Sequence, residues 1–267
     1  MTTAIVSLDS QSAHYYARDG TPRHTVIAKN GTERPSHLGD AKKGLWVPST
    51  TGIIAMADKP NLRRWSEEQV LLAALTLPRS PDEPEAAWVR RVVEDSRETA
   101  RKAAERGTAI HRAIEAEWGG YADGLSEYEA HVDGATHAIY DWAGHPALKT
   151  RLYPLLSEQT FAHPMGYGGT VDLASPEYGL DFKTKDWTSA DPVPTPYDEH
   201  IMQAAAYRQG LGMTGARWAI CFVSRTEPGL AHIEELTEPQ LERGWSQFKA
   251  LLAYWVATKN YDPSWEE

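Results

Sequence analysis

Apolar positions recur with two different periods along the chain, and the change of period marks out the elements. From about residue 46 to residue 120 the pattern is helical, punctuated by Pro60, Pro78, Pro81 and Pro84. The run from Arg97 to Trp118 is rich in helix formers, and Ala103, Ala104, Ile110, Ala113 and Ile114 mark its buried stripe. Helix is predicted again from Ser126 to Trp142. The period then drops to two, which predicts strands at about 155–162, 168–174, 180–184 and 217–224, with another from Leu230 to Glu235. A helix interrupts these strands after Asp198, a residue suited to an N-cap, and stops at Gly210 or Gly212. The last helix runs from Pro239 to about Thr258, with Leu241, Trp245, Phe248, Leu252 and Trp255 on one side. Residues 1 to about 45 are polar and turn-rich, with an Asp19-Gly20 hairpin turn. The order of elements predicts an α/β sandwich: a turn-rich appendage over 1–45, a helical part over 46–145 and a core over 150–260.

The strands at 168–174 and 180–184 carry the candidate chemistry. Pro176, Glu177, Tyr178 and Gly179 read as the turn between them. Closing the hairpin there pairs Ala174 with Asp181 and Asp172 with Lys183. Asp172 and Asp181 become diagonal neighbours on one face, roughly 7–8 Å apart at the backbone. Two short carboxylates can converge across that gap on one ion, because metal–oxygen bonds are about 2.0–2.6 Å long. Ala174 leaves room beside them, while Val171, Leu173, Leu180 and Phe182 point to the other face as core. Hard oxygen ligands suit Mg²⁺ or Mn²⁺. Such an ion activates water beside a phosphate, and Lys183 can orient that water or offset the charge of the transition state. An exposed Asp–Lys pair on an ordinary hairpin is the bland alternative.

Two helical motifs flank the hairpin. Gly107, His111 and Glu115 are spaced i, i+4, i+8 and share one helical face. Glycine inside a helix costs about 1 kcal/mol, which predicts a close backbone approach at Gly107. His111 is a third candidate ligand, with Glu115 behind it to orient the ring. Gln203 and Tyr207, also one turn apart, could order Lys183, the water or a phosphate backbone.

His111, Gly168-x-x-x-Asp172, Asp181-Phe182-Lys183-Thr184 and Gln203-x-x-x-Tyr207, in that order, resemble the RecB-type branch of the PD-(D/E)XK nucleases. The likeness is nearest to phage-type exonucleases and the mitochondrial genome maintenance exonuclease. Val47-Pro-Ser-Thr-Thr-Gly-Ile-Ile, Lys59-Pro-Asn-Leu-Arg-Arg-Trp65 and the Pro-rich loop Asp191–Tyr197 support it. The resemblance implies a restriction-endonuclease-like core, a central mixed sheet flanked by helices, behind an N-terminal helical region that shapes a DNA channel. It implies that His111, Asp172, Asp181 and the Phe182 main-chain carbonyl bind one or two Mg²⁺ or Mn²⁺ ions. Lys183 would be the catalytic lysine, Gln203 and Tyr207 would close the site, and Glu158 would match the acid of the preceding strand. Related Cas4-like and AddB-like nucleases carry an iron–sulfur cluster on several cysteines. This chain has one cysteine, Cys221, so no four-cysteine cluster is expected.

Composition narrows the partners. No apolar run reaches the roughly 18 residues of a membrane span, and the N-terminal residues have no basic leader pattern. A single cysteine fits a reducing, cytoplasmic setting, and the resemblance implies a bacterial or phage-encoded protein. A formal charge of −10 argues against a broad duplex footprint and favours a narrow channel for a single strand or an end. Arg97, Arg101, Lys102, Arg106 and Arg112 outnumber Glu98 and Glu105 beside the motif. Of these, Arg101, Arg106 and Arg112, together with Thr184, Lys185 and Trp187, are the candidate substrate contacts. Ten tryptophans are many for 267 residues, and bases stack on aromatics for about 1–3 kcal/mol each; Trp65 and Trp118 are further candidates. The expected activity is metal-dependent DNA exonuclease action from a free single-stranded end, with a recombination or annealing protein as the implied partner. The alternatives are a structure-specific endonuclease or nickase, a non-catalytic DNA-binding protein that keeps the fold, and an acidic protein-binding module.

Overall fold

Prolines set the helical half of the chain. A computed structural model describes residues 14–119, 127–144 and 156–266. It begins with short strands β1 (Tyr15–Tyr16), β2 (Thr25–Ile27) and β3 (Glu33–Pro35), then α1 (Leu38–Gly44), β4 (Val47–Pro48) and α2 (Thr50–Ile54). Two long helices follow, α3 (Pro60–Thr76) and α4 (Glu85–Gly119), then α5 (Glu129–Ala143). Pro60 opens α3 instead of ending a helix, because its missing N–H is not needed in a first turn. Pro78 and Pro81 fall in the link to α4, and Pro84 immediately precedes it. The starts of the predicted helix at Ser126 and of the predicted strand at 155 lie outside the described residues.

The remaining elements are β5 (Leu156–His163), β6 (Tyr167–Ala174), β7 (Tyr178–Lys185), α6 (Asp198–Gly210), β8 (Arg217–Ser224), β9 (Ala231–Leu236) and α7 (Glu238–Lys259). The five strands form one mixed sheet in the order β5-β6-β7-β8-β9. All neighbours are antiparallel except β7 and β8, which run parallel and are joined through α6. β8 is the most enclosed strand, with Trp218 to Ser224 all buried. That explains its continuous apolar run, since a strand covered on both faces does not alternate. Ile201, Ala205, Phe248 and Leu252 of α6 and α7 pack on one face against Trp218, Ile220 and Phe222. Ile110, Ile114, Val132 and Ile139 of α4 and α5 pack on the other, against Leu173, Leu180, Phe182 and Cys221. The fold is thus mixed α/β, a sheet between two helical layers.

The polar N-terminal segment is stitched to this body. Tyr15 and Tyr16 are buried, Tyr16 and Thr170 share a hydroxyl hydrogen bond of 2.9 Å, and the Tyr261 hydroxyl lies 3.0 and 2.8 Å from the carbonyls of Ala41 and Trp46. The Asp19-Gly20 turn is present, with Gly20 at φ 84°.

The β6–β7 hairpin departs from expectation. It turns on Pro176 and Glu177, with the Ser175 N–H donating to the Tyr178 carbonyl at 2.8 Å. The pairs are Leu173 with Leu180 and Ala174 with Gly179, not Ala174 with Asp181. Gly179, read as a turn residue, lies in the strand instead. A side chain there would come within 2.6 Å of the Trp218 ring, so packing, not turn geometry, requires glycine. The register moves by two residues, an even shift that does not by itself turn a side chain over. The β6–β7 pairing ends at Leu173 and Leu180, and beyond it Asp172 Oδ2 accepts the Phe182 N–H. Ala174 packs into the α6–α7 cluster and does not open a pocket. Val171 is buried in that same cluster, away from Leu173, Leu180 and Phe182. Alternation therefore breaks at Asp172, and its partner on β5 shows why. Glu158, between the pairs Ser157–Leu173 and Gln159–Val171, has φ of 56°.

Candidate active site

The site lies between α4, the β6–β7 pair and α6. Ile110, Ala113 and Ile114 anchor α4 on the sheet, which carries His111 to Asp172 of β6 and Phe182 of β7. Gly107 permits the contact. A Cβ at Gly107 would stand 2.5 Å from Thr184 Oγ1, which accounts for a glycine inside a 35-residue helix.

His111 is the hub of one half. Its Nδ1 lies 2.6 Å from Glu115 Oε1. Its Nε2 lies 3.2 Å from Asp172 Oδ2 and 3.3 Å from the Phe182 carbonyl. Both ring nitrogens face acceptors, so without a cation the ring carries two protons. Burial opposes that charge, but hydrogen bonds to Asp172 and Glu115 outweigh it and push the pKa up to about 11. Asp172 Oδ2 also accepts the Phe182 N–H at 2.7 Å, replacing a main-chain partner where the ladder breaks.

Lys183 is the hub of the other half. Its Nζ lies 2.6 Å from Asp181 Oδ2 and donates to Gln203 Oε1 at 3.0 Å. Gln203 Nε2 donates to Asp181 Oδ1 and to the Tyr207 hydroxyl, both at 2.9 Å. Gln203 thus fixes both members of the ion pair. Asp181 is 1% exposed, and that burial raises its pKa. Burial disfavours the Lys183 ammonium, but Asp181 and Asp172 more than compensate and hold it protonated. Tyr207, stacked edge-on against Phe161 at 5.9 Å, is kept neutral by burial and by both aspartates.

The donor set fits a hard divalent cation. The ligand atoms of His111, Glu115 and Asp172 lie within 4.8 Å of one another, and the Phe182 carbonyl sits beside them. Burial, and then the charges of Glu115 and Asp172, raise the Glu158 pKa to about 7. Such crowding of carboxylates is what a cation relieves. Glu115 therefore stands among the possible ligands as well as behind His111. Asp181 is not in this trio, because Lys183 and Gln203 occupy its oxygens.

Glu158 reaches this group from a strained backbone. A left-handed conformation costs an ordinary residue about 1–2 kcal/mol, and glycine escapes that penalty at an entropic cost of about 0.5–1 kcal/mol. Glu158→Gly should leave stability equal to wild type or higher by up to about 1.5 kcal/mol, while activity falls. A denaturant midpoint measured beside a rate assay checks this; clear destabilisation would mean that the strain is absent.

The remaining candidates divide. Arg112 and Thr184 line a cleft of about 400 Å³ with Gly107, His111, Glu115 and Lys183. Arg101 and Arg106 are exposed and do not line it; Arg101 lies 3.7 Å from Glu105. Lys185 stands over the Tyr197 ring at 5.4 Å. Trp187 is buried, and its carbonyl accepts Ser224 Oγ and Thr226 Oγ1, both at 2.6 Å. It anchors the loop after β7 and offers no face for stacking. Trp118 stacks on Tyr140 at 6.0 Å, and Trp65 is exposed on α3. Sequence reading passed over His200, one turn before Gln203 on α6. The i, i+3 spacing was the available signal. Asp198 is the first residue of α6, and Tyr197 is the cap.

No family model matches the chain, and no curated protein matches it. A solved structure from Eubacterium rectale, described provisionally as an exonuclease, is 12% identical. The similarity covers 58% of this chain and 68% of that one, with a TM-score of 0.41. The chemistry of the site rests on its own residues.

Proposed function

We propose that this protein is a DNA exonuclease that uses a divalent metal ion, Mg²⁺ or Mn²⁺, and acts from a free strand end. One observation carries the reading: on neighbouring strands Asp172 holds the His111 imidazole at 3.2 Å and Asp181 holds the Lys183 ammonium at 2.6 Å. Ion binding alone does not call for a lysine there, whereas phosphate hydrolysis does. His111, Glu115, Asp172 and the Phe182 carbonyl are the residues that would hold the cation, with Asp181 adjoining. A cation so held lowers the pKa of bound water and offsets charge on the scissile phosphate.

The chain's own groups do the rest. Lys183 has three N–H donors; two face Asp181 and Gln203, which leaves one for an attacking water or a phosphate oxygen. Gln203 restrains Lys183 and Asp181, so little reorganisation is needed as charge develops. Arg112 and Thr184 flank the cleft where a strand would lie. The net charge of −10 supports a narrow entry over a wide duplex face.

End-labelled linear single strands, linear duplexes and closed circles, incubated with Mg²⁺ or Mn²⁺, test the reading. Linear DNA should be shortened and circles spared. Nicked circles would make the enzyme an endonuclease, and no cleavage of any substrate would refute hydrolysis.

A further inference from the structure

A group of cations gathers at the first turn of α6, beside the cleft but outside it. Lys59, the residue before α3, places Nζ 3.5 Å from Glu199 Oε1. Lys185 places Nζ 3.4 Å from the Tyr197 hydroxyl. The Tyr197 ring lies 5.3 Å from the His200 ring. His200 Nδ1 accepts the Tyr197 N–H at 3.3 Å, so the neutral ring carries its proton on Nε2, which has no hydrogen-bond acceptor among the described residues. Burial, and then the charges of Lys183, Lys59 and Lys185, keep this ring neutral, with a pKa lowered to about 3.

A neutral N–H donor on the first turn of α6, with Lys59 reaching the adjacent Glu199 and Lys185 reaching Tyr197, suits an oxyanion more than a cation. Nearby acids offset part of the lysine charge: Glu199 lies 3.5 Å from Lys59 and Asp181 lies 2.6 Å from Lys183. Asp198 is engaged by Arg243 at 3.0 Å, and Lys185 Nζ meets only the Tyr197 hydroxyl and ring among the described residues. The positive end of the 13-residue helix α6 adds to the field. Lys185 follows Lys183 by two residues on β7, so both lie on one face, roughly 6.6 Å apart along the strand. That is on the order of one nucleotide step.

Resting on the nuclease reading above, we propose that Lys59, Lys185 and His200 form a second anion subsite, which takes a phosphate of the nucleic-acid strand next to the one being cleaved. The phosphate could come from an internal phosphodiester or from a terminal monophosphate.

The test is binding of a fluorescent oligodeoxythymidylate to the full chain, with Ca²⁺ in place of Mg²⁺ or Mn²⁺, over a range of salt. Relative to wild type, Lys59→Ala with Lys185→Ala should weaken binding by about tenfold or more. It should also reduce the slope of log affinity against log salt by about 0.7, the value for one lost single-strand phosphate contact. His200→Gln, which keeps an N–H, should weaken binding less than His200→Ala. Oligonucleotides with and without 5′ or 3′ phosphates separate the two sources. An equal loss on all of them marks an internal phosphodiester, and a loss confined to one phosphorylated end marks a terminal monophosphate. Melting curves verify folding, and Lys→Gln versions replace any alanine variant that melts early. Wild-type affinity and slope in the double variant, with cleavage by wild type intact, would overturn the subsite alone. A wild-type chain that neither cuts nor binds DNA would overturn the nuclease reading and the subsite with it.

Discussion

Lys183→Ala should reduce metal-dependent cleavage by on the order of 10³-fold. Two losses combine in that variant. The ammonium that orients water or meets the phosphate disappears, and so does the charge that keeps buried Asp181 ionised. Asp181 is 1% exposed, and burial already lifts its pKa. Without its partner it takes up a proton, because an unpaired buried carboxylate costs several kcal/mol. Gln203 keeps its bonds to Asp181 Oδ1 and Tyr207, so the fold should survive. Arginine is no remedy, since its planar fork does not fill the place of a compact ammonium group. Single-turnover cleavage of a labelled oligonucleotide, with circular dichroism as the folding control, checks this. Activity within tenfold of wild type would remove Lys183 from the mechanism.

Binding of Mn²⁺ should strengthen by about tenfold per pH unit between pH 6 and 8, or about a hundredfold across that window. The sign follows from His111. In the cation-free site its pKa stands at about 11, so the ring is protonated throughout the window. A metal can bind at Nε2 only if that proton leaves, and raising the pH favours the loss. His111→Asn should flatten the dependence and weaken binding. Calorimetry in buffers of different ionisation enthalpy would count the proton released, and a flat profile for wild type would exclude His111 as a ligand. Glu158, with a pKa of about 7, can add to the slope in the lower half of the window, so the variant is the decisive comparison.

Much of this was legible in residue order. Period changes located β8 at its observed bounds, 217–224, and the prolines framed α3 and α4. The expected and observed hairpin registers differ by two, an even number that does not by itself turn a side chain over. The register itself was not legible. Gly179 satisfies a turn as well as it satisfies a close approach to Trp218, and sequence does not separate the two. Trp187 looked like a stacking platform because it follows Lys183 closely; the hydroxyls of Ser224 and Thr226, 37 and 39 positions away, hold it inside. The left-handed backbone at Glu158 leaves no trace in the chain, since nothing local demands it. His200 and Lys59 are far apart in sequence, and only the docking of α6 beside the start of α3 makes them neighbours.

The two hubs of the site differ in how far the chain must reach to build them. Lys183 and Gln203 are 20 positions apart and Asp181 and Gln203 are 22 apart, all within one strand–loop–helix unit. His111 and Phe182 are 71 positions apart, and bringing them together requires the whole α4 layer to close on the sheet. The half with the lysine is therefore built from one local stretch of chain, while the imidazole half depends on the seating of a separate layer, so a change that loosens α4 should cost the cation cage before it touches the acid–ammonium pair.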